Sequence, residues 1–442
     1  MTVHQDVEAL LPVTLGAGGG VHYAQGVRAG RWVFATGHMA QDFENGMAPG
    51  VMNERAPHSG APKREKEASL IFDHIEAVLA AGGTGIANVV RTDQYYTTVD
   101  AVPPYQAARR SRFGALIPPS TSIVEQGFVL PGADINLQAI AVVPEDGFRP
   151  EHLSSKDLAG RPTSGYSPAL TVGDFVFVPG ITSMAQGDEP RRNAVASAAL
   201  IEQGMQWGGQ SIKLETEFII TERITPSLAL AGAALDDVVK AQVYLTDPDD
   251  YSAFNDAWIK HFGDNGPALS IVPCATEGLA VIDGKIEINV LALKSGGATK
   301  KQKITAGVET AFKGQVEAVR AGDMLFLSGL MANDAAGLVA GCERDPGQPW
   351  FSSPAARQAE CIIANAEKLC RAAGTSLGNA VRIQQFHTDI SEFYPAHQAW
   401  RRHLPGTALP FAAVHVPHPL PVPGATMLMD IWVYAPETAE LR

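Results

Sequence analysis

Cysteine is scarce. The chain of 442 residues has four, Cys274, Cys342, Cys361 and Cys370, none in C-x-x-C spacing. That is too few for a disulfide framework in a chain of this size, so a reduced, cytoplasmic protein is expected. No apolar run is long enough to cross a bilayer. The opening stretch, MTVHQDVEALLPVTLGAGGG, has neither a basic lead nor a long apolar core and is not read as a signal peptide. Its AGGG reads as a flexible lead-in. Positive charge is in deficit as well: 34 Lys and Arg stand against 47 Asp and Glu, a formal net charge of −13. Such a surface repels phosphate backbones, and no Lys/Arg cluster offers a basic groove against it. KREK at 63–66 reads as the solvated face of a helix. Nucleophile-elbow, Walker, dinucleotide and zinc-ligand patterns are missing too. The expectation is therefore no metal, no cofactor, and no nucleic-acid or membrane partner.

What the chain does have is repetition. NVVRTDQYYTTVD from Asn88, DDVVKAQVYLTD from Asp236 and NAVRIQQFHTD from Asn379 align Arg91 with Lys240 and Arg382, and Tyr95 with Tyr244 and Phe386. Around each lies the same order of signals. A hairpin pattern turns at Gly30, Gly173 or Gly322 and stops at Gly37, Gly180 or Gly329. A helix follows; the third has Ser353 as N-cap, Pro354 in its first turn, and Ile362, Ala366, Leu369, Cys370 and Ala373 along one face. Pro226 is expected to shorten or kink the second copy. The recurrent strand comes next, then a second helix, a Pro-opened strand and a last strand, in the order ββ-α-β-α-ββ. At ~150 residues per domain the length fits three such domains. Segments 144–165 and 294–303 read as linkers. Segment 187–210 is an insertion in the second copy, with the pattern of a short helix over 193–207; it reads as a surface excursion, the alternative being a lid or packing arm.

This pattern, with the AG…DVVK…VYLTD…F…N..W…F…PA.S run of the second copy, resembles the RidA (YjgF) family. The resemblance implies an α/β (α+β) fold of three chorismate-mutase-like, RidA-like units at 19–146, 160–296 and 305–436. It further implies that one chain forms a pseudo-trimer, with ligand sites in the clefts between units and higher homo-oligomers left open. The family's PARS arginine, which grips a substrate carboxylate, is replaced by Ser120, Leu269 and Ala412. The usual substrates, imines of small α-amino acids, are therefore not expected. The family's water-orienting glutamate is matched to Gln138, Asn289 and Asp430, of which only Asp430 is a carboxylate. Its tyrosine is matched by Tyr23, with Tyr166 a looser match. Its serine is matched by Thr36 and Ser328, with Pro179 in the second copy, and its helix asparagine by Asn255, with Tyr105 and His397 in the other copies.

Asp430 in MLMDIWVY, His415 in HVPHP and His38 in TGHMAQD are the catalytic candidates. Tyr23, Thr36, Ser120, Gln138, Asn255, Asn289, Ser328, His397 and His418 are the substrate-binding candidates. For each, a structural hydrogen bond is the competing reading, and Cys274 reads as a buried small hydrophobe. The expected activity is that of a metal-free hydrolase or deaminase acting on a C–N bond (enamine, imine or amide) of a small catabolic intermediate, cyclic forms included. A carboxylate would activate water in an inter-unit cleft. The alternatives are a non-catalytic ligand- or partner-binding protein and a chorismatase-like enzyme.

Overall fold

The computed structural model describes residues 7–16, 20–52, 60–154, 165–185, 193–201, 210–312, 314–348, 350 and 353–436. Three sheets share one strand order. In the first, Val7–Leu15, Val21–Ala29, Trp32–His38, Ile135–Val142, Val89–Tyr96 and Ser120–Val124 lie side by side. The second repeats this with Glu151–Leu153, Ala169–Val172, Phe175–Thr182, Ile286–Leu293, Val238–Leu245 and Ala268–Pro273. The third has Lys301–Ile304, Ala318–Ala321, Met324–Leu327, Met427–Tyr434, Ala380–His387 and Phe411–His415, extended by Gly127–Phe128 of unit 1. Only the recurrent strand and the Pro-opened strand run parallel. Edge strands therefore stand at Glu151–Leu153 and Lys301–Ile304, within the segments read as linkers. Residues 155–164 of the first segment lie outside the described set.

One face of each sheet carries its helices, Lys63–Ala81 and Val102–Phe113 in unit 1, and Pro354–Ala372 and Phe393–His403 in unit 3. In unit 2 the first helix runs Ser211–Phe218, passes through a π-helical turn at Ile219–Ile224, and resumes over Thr225–Leu230. Pro226, which has no N–H to donate, follows directly on that turn. The second helix of unit 2 is Tyr251–Phe262. Of the insertion, 187–192 and 202–209 lie outside the described residues. The remainder bridges Met184 to Val195 and Ala194 to Ile282, with a short 3-10 turn at Ser197–Ala199. No helix among the described residues is long and apolar enough to cross a membrane.

The other sheet faces meet one another, which is how one chain closes a ring. A bulge between Val89 and Arg91, repeated at Val238/Lys240 and Ala380/Arg382, turns two consecutive side chains inward in each unit. The result is layered. Val90, Val239 and Val381 join one apolar cluster with Phe34, Phe177, Phe326 and Trp432. Tyr95, Tyr244 and Phe386 join another with Ile123, Val272 and Val414. Between the two lies a polar layer. Arg91 holds Asp93 with Nε at 2.9 and 3.0 Å, and Arg382 Nη2 reaches the same carboxylate at 2.6 Å. Gln242 bridges Arg91 to Gln384, which donates to the Tyr95 hydroxyl at 2.8 Å, itself 2.6 Å from that of Tyr244. Buried polar groups of this kind are tolerated where the network is hydrogen-bonded.

Candidate functional site between units 1 and 2

The Pro-opened strand of each unit lies against the glycine that ends the hairpin of the next, giving three seams. A Cβ on Gly37 would stand 2.8 Å from Ala412 Cβ and Asn136 Oδ1. One on Gly180 would overlap Glu287 and reach Thr121, and one on Gly329 would crowd Ser270 and Leu428. Glycine suits these positions because a Pro-opened-strand residue and a last-strand side chain converge on each. The pattern sets Thr121, Ser270 and Ala412 as counterparts, and likewise Asn136, Glu287 and Leu428.

Register agrees. Ser120 pairs with Thr92, Leu269 with Ala241 and Phe411 with Ile383. The counterpart of Ser120 in unit 3 is thus Phe411, one residue before Ala412, because Ile383 N bonds Pro410 O as Thr92 N bonds Pro119 O.

The seam between units 2 and 3 gathers Asn255, Ser328 and Asp430. Most of its polar groups are spent on one another, Asp430 Oδ1 excepted, which has no hydrogen-bond partner among the described residues. Lys240 Nζ lies 2.7 Å from Asp430 Oδ2 and also donates to Ser270 Oγ and Leu327 O. Ser328 donates to Val316 O and accepts from Leu269 N, and Asn255 accepts from Gln315. Burial works to raise the Asp430 carboxyl, but Lys240 and Arg382 hold it below its ordinary value.

Between units 3 and 1 lie Tyr23, Thr36, Gln138 and His397. Tyr23 accepts from Gln41 at 2.8 Å, and burial pushes its phenol up to about 12. Thr36 donates to Gln25 O, and Gln138 accepts from Arg382. His397 accepts from His22 N at 3.2 Å and is driven down to about 4, chiefly by burial. Nearby, His38 lies 2.9 Å from Gln25 O; burial, then His74, push it down to about 3, so its ring is neutral near pH 7. His415 lies apart at its strand end, Nε2 3.1 Å from Thr388 O, and His418 is exposed on the loop beyond.

The seam between units 1 and 2 holds Ser120 and Asn289, and with them groups that motif matching missed. Arg109, buried on the second helix, donates Nη1 to Ser120 Oγ at 3.1 Å. Its helix begins at Val102 as the others begin at Tyr251 and Phe393, so its counterparts are Trp258 and Trp400. Glu287 reaches the seam two residues before Asn289, whose Nδ2 donates to Thr121 Oγ1 at 3.1 Å. Burial pushes Glu287 up to about 8, against the backbone N–H of Ser122 and with help from Asp93. Tyr166 donates to Gly180 O at 3.2 Å. Its phenol is raised by burial and by Glu287, and lowered by Arg109, which places all three in one electrostatic neighbourhood. At the far end of the Ser120 strand, Glu125 and Cys274 are both buried and both raised well above their ordinary values by burial. Here, among the described residues of this seam, a helix guanidinium on Ser120 and a buried acid pushed up to about 8 both act on Tyr166. One signal could have exposed it: aligning the second helices sets an arginine against two tryptophans.

The family model described as Endoribonuclease L-PSP matches residues 20–143, 158–294 and 309–435. A RutC family protein of Saccharolobus solfataricus is 32% identical over 137 residues, 31% of this chain and 93% of that protein. The mitochondrial protein MMF1 of Saccharomyces cerevisiae is 27% identical over 140 residues, 32% of this chain and 82% of its own length. Among solved structures, yeast Mmf1 covers 33% of this chain and 99% of its own, at 26% identity and a TM-score of 0.26. A chorismatase covers 78% of this chain and 93% of its own, at 12% identity and a TM-score of 0.47. Matched three times in succession by the one model, the chain belongs to the Endoribonuclease L-PSP family, with RutC proteins among its relatives, and carries three of that family's units in tandem.

Proposed function

We propose that the seam between units 1 and 2 is the active site of a hydrolase or deaminase acting on the C–N bond of a small, carboxylate-bearing imine or enamine. The observation that carries this reading is Arg109 Nη1 on Ser120 Oγ: a helix arginine delivers a guanidinium to the strand position that lost its own. A carboxylate-bearing substrate therefore returns as the favoured class, because the guanidinium fork suits carboxylate recognition. Glu287, in its ionised form, takes a proton from water as the oxygen adds to the C=N carbon. The proton is then passed to the nitrogen, giving a carbinolamine; Glu287 next takes the carbinol O–H proton and hands it to the nitrogen as the C–N bond breaks, leaving a C=O group and ammonia. Tyr166 and Thr121 supply hydroxyls beside the reacting carbon.

Asp430 fits a structural role better, because Lys240 already occupies its carboxylate. The family description names an endoribonuclease, but a net charge of −13 sets this surface against a phosphate backbone. The test is ammonia release from imines generated in situ from amino acids, by the wild-type chain and by Arg109→Met. Release that needs Arg109 supports the reading, and equal release by the variant contradicts it.

A further inference from the structure

Charge in the axial layer does not balance. Arg91, Lys240 and Arg382 face only Asp93 and Asp430, and all five are at most 5% exposed. Lys240 donates to Ser270 and Leu327 and stands 2.7 Å from Asp430 Oδ2, while burial pulls its pKa down against the pull of Asp430. Arg91 is satisfied by Asp93 and Gln242. Arg382 gives Nη2 to Asp93 and Nε to Gln138. Its Nη1 stands 3.9 Å from Asp430 Oδ1, beyond hydrogen-bond reach, and neither Nη1 nor Gln138 Nε2 has a hydrogen-bond partner among the described residues. Both side chains line a crevice between units 3 and 1, walled by Thr36, Val381, Pro410 and Ala412, with about 10 Å³ of space. That is room for roughly one water-sized particle.

We propose that this crevice is a halide site, filled by chloride, held by Arg382 Nη1 and Gln138 Nε2. A surplus buried cation is costly unless an anion meets it, and a space of about 10 Å³ suits a monatomic anion. Comparison of the units says why the charge is missing: Gln138 stands where unit 3 has Asp430, so unit 1 offers an amide at the position of a carboxylate. The site is independent of the Arg109 seam.

Bromide-soaked crystals of the full chain, read by anomalous scattering, together with melting temperature against chloride or bromide at constant ionic strength, test it. The expected result is a bromide peak between Arg382 and Gln138 and a melting temperature that rises and saturates with halide. Gln138→Glu supplies the missing charge and should abolish both. Should that variant fail to fold, Gln138→Leu removes the amide donor and should raise the half-saturating halide concentration roughly tenfold to a hundredfold, the scale of one hydrogen bond to a charged group. No peak, a peak without any halide effect in solution (binding at crystal concentration only), or an unchanged halide response in these variants would overturn the proposal.

Discussion

The seam between units 1 and 2 and the seam between units 2 and 3 are built from corresponding positions, yet they hold opposite chemistry. In the first, a strand serine receives a helix arginine, and a buried glutamate is pushed up to about 8. In the second, the counterparts of Ser120, Arg109 and Glu287 are Leu269, Trp258 and Leu428, and the polar residues that remain close on one another. Three identical subunits would have to keep three identical seams. A fused chain is free of that constraint, so one seam can be equipped for chemistry while another becomes core.

The comparison breaks most sharply at Glu287. Glu287→Gln should lower kcat/KM by ~10²–10⁴-fold, the range for a positioned general base. The same variant should melt higher at and above pH 8. Because the folded value of Glu287 is raised, its contribution to stability is present in full below its unfolded value and is lost as pH rises through about 8. The glutamine has no such loss. A variant with full turnover would remove Glu287 from the chemistry.

Asp430→Asn should do the reverse. Leaving Lys240 unpaired in a buried layer costs about 3–5 kcal/mol, so chemical denaturation should show a large loss of stability while turnover per folded molecule stays near wild type. If turnover falls with stability intact, Asp430 is the activating carboxylate after all.

Next in size comes Arg109→Met, for which KM for a carboxylate-bearing substrate should rise roughly tenfold to a hundredfold, the worth of one hydrogen bond to a charged group. An uncharged analogue should be unaffected. Smaller still is the pH effect on wild type. Because the ionised form of Glu287 is the active one, kcat/KM should rise with pH and level off above about 8. A rate that falls across that range would assign Glu287 the role of acid.

The triplication was legible because strand periodicity and turn glycines are local signals, and three copies of a weak pattern reinforce one another. The aligned residues Arg91, Lys240 and Arg382 were visible, but the partners they share across units were not: Asp93 reaches Arg382, and Asp430 reaches Lys240, only once the sheets face inward. Arg109 was hidden for a similar reason. It stands on a helix and reaches Ser120 only in the folded chain, so a search along the strand finds only the serine. In unit 3 the run PFAA suggested Ala412, whereas the ladder, which starts from Pro410 O, sets Phe411 at that position. The edge strands at Glu151–Leu153 and Lys301–Ile304 are too short and too polar to stand out from a linker.

The central claim is that one seam of three is equipped to hold a small carboxylate. A crystal of the full chain soaked with a short 2-oxo acid, the product class of imine hydrolysis, puts it to direct test. The expected result is density for one ligand per chain, its carboxylate on Arg109 between units 1 and 2 and its carbonyl carbon facing Glu287. Equal occupancy of all three seams, or occupancy only beside Asp430 or Tyr23, would contradict it.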